Sequence, residues 1–272
     1  MWADLSNGAM RFSALVIASM LLVSCASAPE GDPEALAEFQ KLNDPVEPTN
    51  RAIFEFNRSA DRYVIKPVTS GYRAITTPEM RDGVHNALQN LRAPVIFAND
   101  ILQGQFGRAG TTFARFVINS TLGVVGFGDP AAELGFAPHD EDFGQTLAVW
   151  GVGEGPYLML PILGPSNPRD LTGKVADFFL DPINWWANNT ENDWVPLTRA
   201  LVTGIDARDQ LWNVLDDLER TSVDFYAAIR SLYRQRRMDE IRNGGTGGDS
   251  PLPNLTGELD LKDLNAPVPS SH

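Results

Sequence analysis

A nearly uncharged but repeatedly broken segment, residues 94–128, most constrains the fold of this chain. Its 35 residues carry three charges, Asp100, Arg108 and Arg115, and six glycines interrupt it. Such a segment is too apolar for a solvent-facing surface, and its glycines argue against one continuous transmembrane helix. Two structures remain open: a buried helical pair in a water-soluble core, or short helices lying partly in lipid, where glycines let backbones approach closely.

A second nearly uncharged block, residues 143–168, follows an acidic loop at residues 129–142. Glu154 is its one charged residue, and the glycine-proline clusters at residues 151–156 and 164–168 exclude a continuous helix. Trp185, Trp186 and Trp194 come soon afterwards. Tryptophan clusters are typical of membrane interfaces and also of ordinary cores, so both interpretations stay open.

Elsewhere the apolar spacing predicts helices. We expect one helix from Asn43-Asp44-Pro45 to Lys66-Pro67, and another that begins at Thr77-Pro78-Glu79, with proline at its first position. Apolar residues spaced by three and four predict a single long helix over residues 197–241. The arginines at its end either complement the helix dipole or face lipid headgroups. Alternating strand patterns are scarce, and the predicted fold class is all-α.

The N-terminus has the pattern of a bacterial lipoprotein signal. Residues 13–23 form an uncharged apolar run of eleven residues, which is too short to span a bilayer. Leu22-Val23-Ser24-Cys25 resembles a lipobox, which predicts cleavage before Cys25 and acylation of that residue. An ordinary secretory peptide with a coincidental cysteine is the alternative, and either Met1 or Met10 serves as the start. By resemblance to sorted lipoproteins, Ala26 favours the outer membrane.

These features divide the chain into four parts. We predict a removed signal peptide over residues 1–24, a lipidated tether over 25–33, a helical domain over 34–245, and a disordered, acidic, Pro- and Gly-rich tail over 246–272.

Composition argues against nucleic-acid binding and against catalysis. A net charge of −13 disfavours contact with phosphate backbones. The chain has no G-x-S-x-G, H-E-x-x-H or P-loop motif, and lipidation would consume Cys25, its single cysteine. His85 and His139 are the histidines that precede the C-terminal residue. The carboxylates of residues 140–142 next to His139 could attract a hard cation, but such loops are usually just solvated. We therefore expect no enzyme, no metal and no cofactor beyond the acyl chains on Cys25.

Several short motifs follow one another in order over residues 40–245. The opening motif is Asn43-Asp44-Pro45 with Asn50-Arg51 and Phe56-Asn57. The remaining motifs are Leu102-Gln103-Gly104, Arg115-Phe116, Asn119-Ser120-Thr121-Leu122-Gly123, Phe143-Gly144-Gln145-Thr146-Leu147, Trp150-Gly151-Val152-Gly153, Gly155-Pro156-Tyr157, Leu160-Pro161, Gly164-Pro165-Ser166, Arg169-Asp170 and the end of the helical region from Arg234 to Gly245. Together and in this order, they resemble the motifs of the MlaA (VacJ) family of phospholipid-trafficking lipoproteins.

This resemblance implies a ring-like arrangement of amphipathic helices, embedded in the inner leaflet of the outer membrane, with a polar central channel. It implies that the protein removes mislocalised phospholipids from the outer leaflet and so maintains lipid asymmetry. The implied partners are phospholipids, a trimeric outer-membrane porin, and a soluble periplasmic carrier of the same pathway. A structural lipoprotein that scaffolds a porin without moving lipid is the main alternative, and a phospholipase is a third.

The resemblance and the scattered polar residues together give a set of candidate lipid-path residues. They are Asn119, Thr121, Phe143, Gly144, Gln145, Thr146, Gly151, Gly153, Gly155, Pro156 and Tyr157. For each polar member, a structural helix cap or core hydrogen bond is an equally good explanation.

Overall fold

The computed structural model describes residues 43–192 and 194–243. The predicted signal peptide, Cys25, the tether and the acidic tail lie outside these residues, as does the start of the predicted helical domain. The described chain forms two compact units. One comprises the residues up to Ala60 together with Glu154–Pro168, and the other comprises Asp61–Gly153 and the residues from Arg169 onwards.

The first unit is a helix with a short hairpin. Helix α1 (Glu47–Ala60) packs against strand β1 (Leu158–Leu160), which pairs with the antiparallel strand β2 (Gly164–Ser166). Asn50 donates to the Tyr157 carbonyl at 3.0 Å, and its side-chain oxygen accepts from the Met159 amide at 2.8 Å. Two turns later, Asn57 donates to the Leu160 carbonyl at 2.8 Å. These two asparagines satisfy backbone groups at the edge of the two-stranded hairpin, which accounts for their place in the opening motif.

The regular elements described in the second unit are all helices. It begins with one π-helical turn, Asp61–Ile65. The α-helices that follow are α2 (Lys66–Ile75), α3 (Pro78–Leu102), α4 (Phe106–Thr121), α5 (Pro130–Glu133), α6 (Phe143–Val149), α7 (Pro168–Leu180, whose first residue belongs to the other unit), α8 (Pro182–Asn189), α9 (Trp194–Gln210), α10 (Trp212–Thr221) and α11 (Phe225–Ile241).

The predicted all-α class is confirmed, and so is the start of α3. Thr77 caps α3 by accepting from the Met80 amide at 3.3 Å, and Pro78 occupies the first turn. Block 143–168 is broken as expected: α6 ends at Val149 and the rest is turns and the hairpin.

Two helix predictions are wrong. The chain does not leave the helical state at Lys66-Pro67, because proline lies in the first turn of α2, where its missing N–H has no helical partner to lose. The predicted helix over 197–241 is three helices, α9, α10 and α11. The breaks fall at Leu211 and at residues 222–224, where Asp224 leaves the helix to cap α11 through the Ala227 amide. The apolar spacing of the sequence continues across such a cap, so spacing alone does not locate the end of the helix.

Burial in the described chain is inverted relative to a water-soluble protein. Polar and charged residues outnumber apolar ones among the buried side chains, and many large apolar side chains are exposed. Exposed aromatic residues include Phe106, Phe113, Phe178, Phe179, Trp185, Trp186 and Trp194. A water-soluble domain rarely exposes apolar surface so extensively unless lipid or another protein covers it.

Helices α6 and α7 approach each other at two glycines. A Cβ atom added to Gly173 would lie 2.3 Å from the amide nitrogen of Gly144, and one added to Gly144 would lie 2.6 Å from the Arg237 guanidinium. Both distances are shorter than van der Waals contact. The family-like Phe143-Gly144 motif therefore provides close backbone packing.

A buried arginine joins three helices where these glycines meet. Arg237 of α11 makes two 2.7 Å hydrogen bonds to Asp142, the N-cap of α6, and its Nε atom lies 2.9 Å from Asp170 of α7. Tyr233 also donates to Asp170. Burial alone would raise the pKa of Asp142, but the ion pair with Arg237 outweighs it and lowers that pKa to about 2.

We predict that Gly173→Ala lowers the free energy of unfolding by about 2 kcal/mol, because the added methyl group would overlap the α6 backbone. Thermal unfolding in mild detergent, followed by circular dichroism, measures the loss. Gly110→Ala is the matched control, since Gly110 is also helical but has no atom within 4 Å of an added Cβ. The control should be neutral or slightly stabilising. Equal melting of the two variants would contradict the close approach.

We also predict that Asp142→Asn destabilises the protein by on the order of 2 kcal/mol at neutral pH, since the asparagine keeps the cap but loses the ion pair. A carboxylate whose folded-state pKa is lowered stabilises the fold above its unfolded-state pKa. The contribution is lost as pH falls from about 4 towards 2. Unfolding measured across that range should therefore show the wild type and Asp142→Asn converging, and a constant difference would contradict this account.

Candidate functional site

A polar stripe runs along the long helix α3 on a different face from its exposed apolar residues. His85, Arg92 and Asn99 recur every seven residues, and Gln103 follows one turn later; we call these four the α3 polar stripe. Met80, Leu91 and Leu102, spaced by eleven residues, are exposed on a separate face, about 100° around the helix. Seven residues are almost two helical turns and eleven almost three, so each set shares one face.

The α3 polar stripe meets acidic and hydroxyl partners from four other segments. His85 Nδ1 lies 2.9 Å from Asp206 of α9, and Arg92 donates to Asp140 at 2.9 Å. Asn99 donates to Asp177 of α7 at 3.0 Å and accepts from Thr146 of α6 at 2.8 Å. Gln103 donates to Glu141 at 2.8 Å. The stripe thus faces a polar interior in which both signs of charge occur.

A second polar cluster lies beside the end of the stripe. Asp100, which is fully buried, accepts a 2.6 Å hydrogen bond from Thr112. His139 Nε2 lies 3.1 Å from both of these residues, and Arg108 donates to Glu141 at 2.7 Å. Every member has at least one partner of complementary chemistry, as buried polar groups require.

The polar interior shifts the pKa values of several of these groups. The hydrogen bond to Asp206 raises the pKa of His85, with further contributions from nearby carboxylates that outweigh desolvation. Burial raises the pKa of Glu141 and of Asp177 above their ordinary values. Such shifts are frequent at functional sites, although structural networks produce them too.

The histidines do not form a hydrolytic triad with the side chains around them. In such a triad the hydroxyl and the carboxylate contact opposite ring nitrogens, whereas Thr112 and Asp100 both contact Nε2 of His139. The ring of His85 bonds to Asp206 alone among the described side chains. Within residues 43–192 and 194–243, no group of three or more His, Cys, Asp or Glu residues has the arrangement of a metal site.

The candidate lipid-path residues fall into different environments. Gln145 and Thr146 are buried near the α3 polar stripe, and Phe143 packs edge-on against Trp150 beside them. Asn119 is buried too, but it donates to Asp129 at 2.9 Å and accepts from the Ala131 amide, which is a structural role. Thr121, Gly151 and Gly153 are exposed. Gly155, Pro156 and Tyr157 belong to the first unit. Their part in a lipid path stays a prediction.

Sequence reasoning missed the charged members of the interior. Arg92 and Asp177 are isolated charges in the sequence and match no catalytic motif, and Asp140 was noticed only as part of the acidic run at residues 140–142. One signal was available: His85, Arg92 and Asn99 have the seven-residue spacing of a helix face within a segment otherwise judged by its apolar positions.

An exposed apolar turn over residues 122–128 adds to the apolar exterior. Val124 and Val125 are each 72% exposed and have φ angles of 52° and 60°, a region that β-branched residues rarely adopt. The turn is held by hydrogen bonds such as that from the Gly126 amide to the Asn119 carbonyl, at 2.8 Å. A strained turn that presents valines outward indicates a function for that surface.

Among the described residues, no helix combines the length and the apolar character needed to cross a bilayer. Exposed apolar side chains occur on several elements, of which α4, α7 and α8 are examples.

The comparisons with known proteins agree with one another. The family model described as MlaA lipoprotein matches residues 42–240. The chain is 35% identical over 265 residues to the intermembrane phospholipid transport system lipoprotein MlaA of Escherichia coli, which covers 94% of this chain and 99% of that protein. The protein of the same name from Haemophilus influenzae is 32% identical over 84% of this chain and 89% of its own length.

A solved structure from work on the structural basis for maintenance of bacterial outer membrane lipid asymmetry superimposes with a TM-score of 0.65. It is 34% identical in sequence and covers 73% of this chain and 98% of its own. A family match over most of the chain, relatives aligned over nearly their full length, and a shared fold lead to one conclusion. The chain belongs to the MlaA lipoprotein family.

Proposed function

We propose that this chain is an outer-membrane lipoprotein that removes phospholipids from the outer leaflet and passes them to a soluble periplasmic carrier. Its relatives are named for an intermembrane phospholipid transport system, and its structural relative comes from work on outer membrane lipid asymmetry. The observation in this chain that carries the proposal is the inverted burial, with polar and charged groups inside and large apolar side chains outside.

This distribution fits the physical problem of moving a phospholipid. A charged or zwitterionic headgroup crosses hydrocarbon only at a cost of several kcal/mol unless polar groups shield it. We propose that the helices form a ring in the inner leaflet, with apolar side chains towards lipid and the α3 polar stripe towards a channel. Such a ring lowers the barrier without a nucleotide, because it replaces the hydration of the headgroup with fixed dipoles and charges.

The attachment and the partners belong to the same proposal. Acyl chains on Cys25 would anchor the protein, since each buried methylene contributes about 0.8 kcal/mol and several chains together prevent release. A trimeric porin would hold the ring in place, and the periplasmic carrier would accept the lipid on the periplasmic side. No chemical conversion of the lipid is part of this function, in keeping with the contacts of His85 and His139.

A structural role is the second candidate, and one observation favours it. Many buried polar groups are already bonded to one another, such as Asn99 with Asp177 and Thr146, or Arg237 with Asp142 and Asp170. A fully bonded interior would suit a static scaffold for a porin. The α3 polar stripe argues for transport instead, because about a third of the side chains of His85 and Arg92 remains accessible.

We predict that deleting the gene in its native host places phospholipid in the outer leaflet. Surface phospholipid becomes the acyl donor for lipid A modification by an outer-membrane acyltransferase, so the extra lipid A acylation measures it. Complementation with the wild-type gene should restore the original lipid A. A deletion strain with altered porin but unchanged lipid A would favour the scaffold. Release of fatty acid by the purified protein, lost on His139→Ala, would favour an enzyme.

We further predict that Cys25→Ala, although it loses its acyl chains, still needs detergent for extraction, because apolar residues of the folded body contact lipid. Fractionation of the periplasm, the membranes and a detergent extract distinguishes the two forms of attachment. A soluble, folded monomer recovered from the periplasm would be evidence for a tethered globule and against an embedded ring.

A further inference from the structure

The accessible part of the α3 polar stripe contains two pairs, each of a basic and an acidic side chain. Arg92 donates to Asp140 at 2.9 Å, and His85 bonds to Asp206 at 2.9 Å. His85 and Arg92 lie about 10 Å apart along α3, because seven residues rise about 1.5 Å each. Asp140 acts electrostatically on both of them, so the two pairs belong to one polar surface.

Each pair leaves one carboxylate oxygen without a donor. Oδ1 of Asp140 and Oδ1 of Asp206 are buried and have no hydrogen-bond partner among the described residues. The Asp206 side chain is only 9% exposed, so bulk water does not compensate for the missing bond. A buried carboxylate oxygen without a donor is destabilising, and a primary ammonium supplies three N–H donors.

Arg92 has N–H donors that are not used by its partner. Its guanidinium carries five N–H donors, of which Asp140 receives one, and 34% of the side chain is accessible. A planar guanidinium binds phosphate with two parallel hydrogen bonds. Because Arg92 and Asp140 touch each other, a phosphate on Arg92 and an ammonium on Asp140 would lie side by side, as they do in an ethanolamine headgroup with its two-carbon bridge.

The surrounding charges select between headgroups. Asp142 and Asp177 also act on Arg92, and Asp82 acts on His85. Asp142 is paired with Arg237, which leaves Asp82, Asp140 and Asp177 as the acidic groups that act on Arg92 or His85 besides Asp206. A headgroup with a net negative charge would meet repulsion there, whereas a zwitterion gains from both signs.

We propose that Arg92 and Asp140, with the neighbouring carboxylate of Asp206, form a headgroup subsite that selects zwitterionic phospholipids bearing a primary ammonium over anionic phospholipids. The inference rests on the proposed transport function and names its substrate class. Arg92 holds the phosphate, and the carboxylate of Asp140, 40% of whose side chain is accessible, accepts from the ammonium. The carboxylate of Asp206, which is 9% exposed, is the next acidic group along the stripe.

The test uses the full-length lipoprotein in mild detergent, equilibrated with vesicles of equal phosphatidylethanolamine and phosphatidylglycerol. Bound lipid is then extracted and quantified by mass spectrometry. The wild type should be enriched in phosphatidylethanolamine. Asp140→Asn should reduce the enrichment about tenfold, because it removes a charged hydrogen-bond acceptor. Arg92→Gln should reduce the total bound phospholipid. Asp217→Asn is the matched control, since Asp217 pairs with Arg220 on an exposed surface, and it should bind like the wild type.

A second measurement on the wild type needs no variant to fold. Vesicles that contain phosphatidylcholine in place of phosphatidylethanolamine present a cationic headgroup without N–H donors, so enrichment should disappear. Bound phospholipid with no preference, or an unchanged preference in Asp140→Asn, overturns the subsite but leaves transport standing. A wild-type protein that binds no phospholipid overturns both.

Discussion

The guanidinium of Arg237 is the interaction on which the packing of the second unit most depends. It is nearly inaccessible to solvent and lies between Asp142 and Asp170, so that α6, α7 and α11 meet at one charge. Removing a partner from such a pair costs more than the pair contributes, because the remaining charge stays buried. This arrangement requires glycine at positions 144 and 173, because any side chain there would separate the helices that supply the carboxylates. The ion pairs of Arg237 also hold α6 in place, and α6 carries Thr146, which bonds to the α3 polar stripe.

The inverted burial follows from the solvent in which we propose the protein lies. In water, exposed phenylalanine and tryptophan side chains would drive aggregation, and a charged interior would be a poor core. In lipid, exposed apolar side chains lose nothing, and polar groups must bond to one another or to water within the protein. Short helices and tight turns then replace transmembrane spans. The left-handed valines of the 122–128 turn are an example, because their exposed side chains are favourable only against an apolar surface.

The sequence predicted local structure well and long-range pairing poorly. Thr77 and Pro78 identified the start of α3 because a cap is a local interaction. The helix predicted over residues 197–241 was wrong because apolar spacing continued across the Asp224 cap. Asn50 and Asn57 were noticed as part of a family motif, but their partners are carbonyl groups about a hundred residues away, which no spacing rule identifies. Arg92 was missed for the same reason, since Asp140 is 48 positions away and belongs to a loop read as solvated.

A polar path that transports lipid must release what it binds, and paired charges provide a way to do so. If Arg92 stood alone, a bound phosphate would leave behind a bare, partly buried cation, and release would be slow. With Asp140 in contact, the guanidinium and the carboxylate re-form their own hydrogen bond as the headgroup departs. The free energy of the lipid-free site thereby stays close to that of the lipid-bound site, because Arg92 and Asp140 exchange bonds to the headgroup for a bond to each other. The pairs of the α3 polar stripe therefore suit a channel that releases lipid better than a site that retains it. An interior whose polar groups bond to one another is thus compatible with transport as well as with a static scaffold.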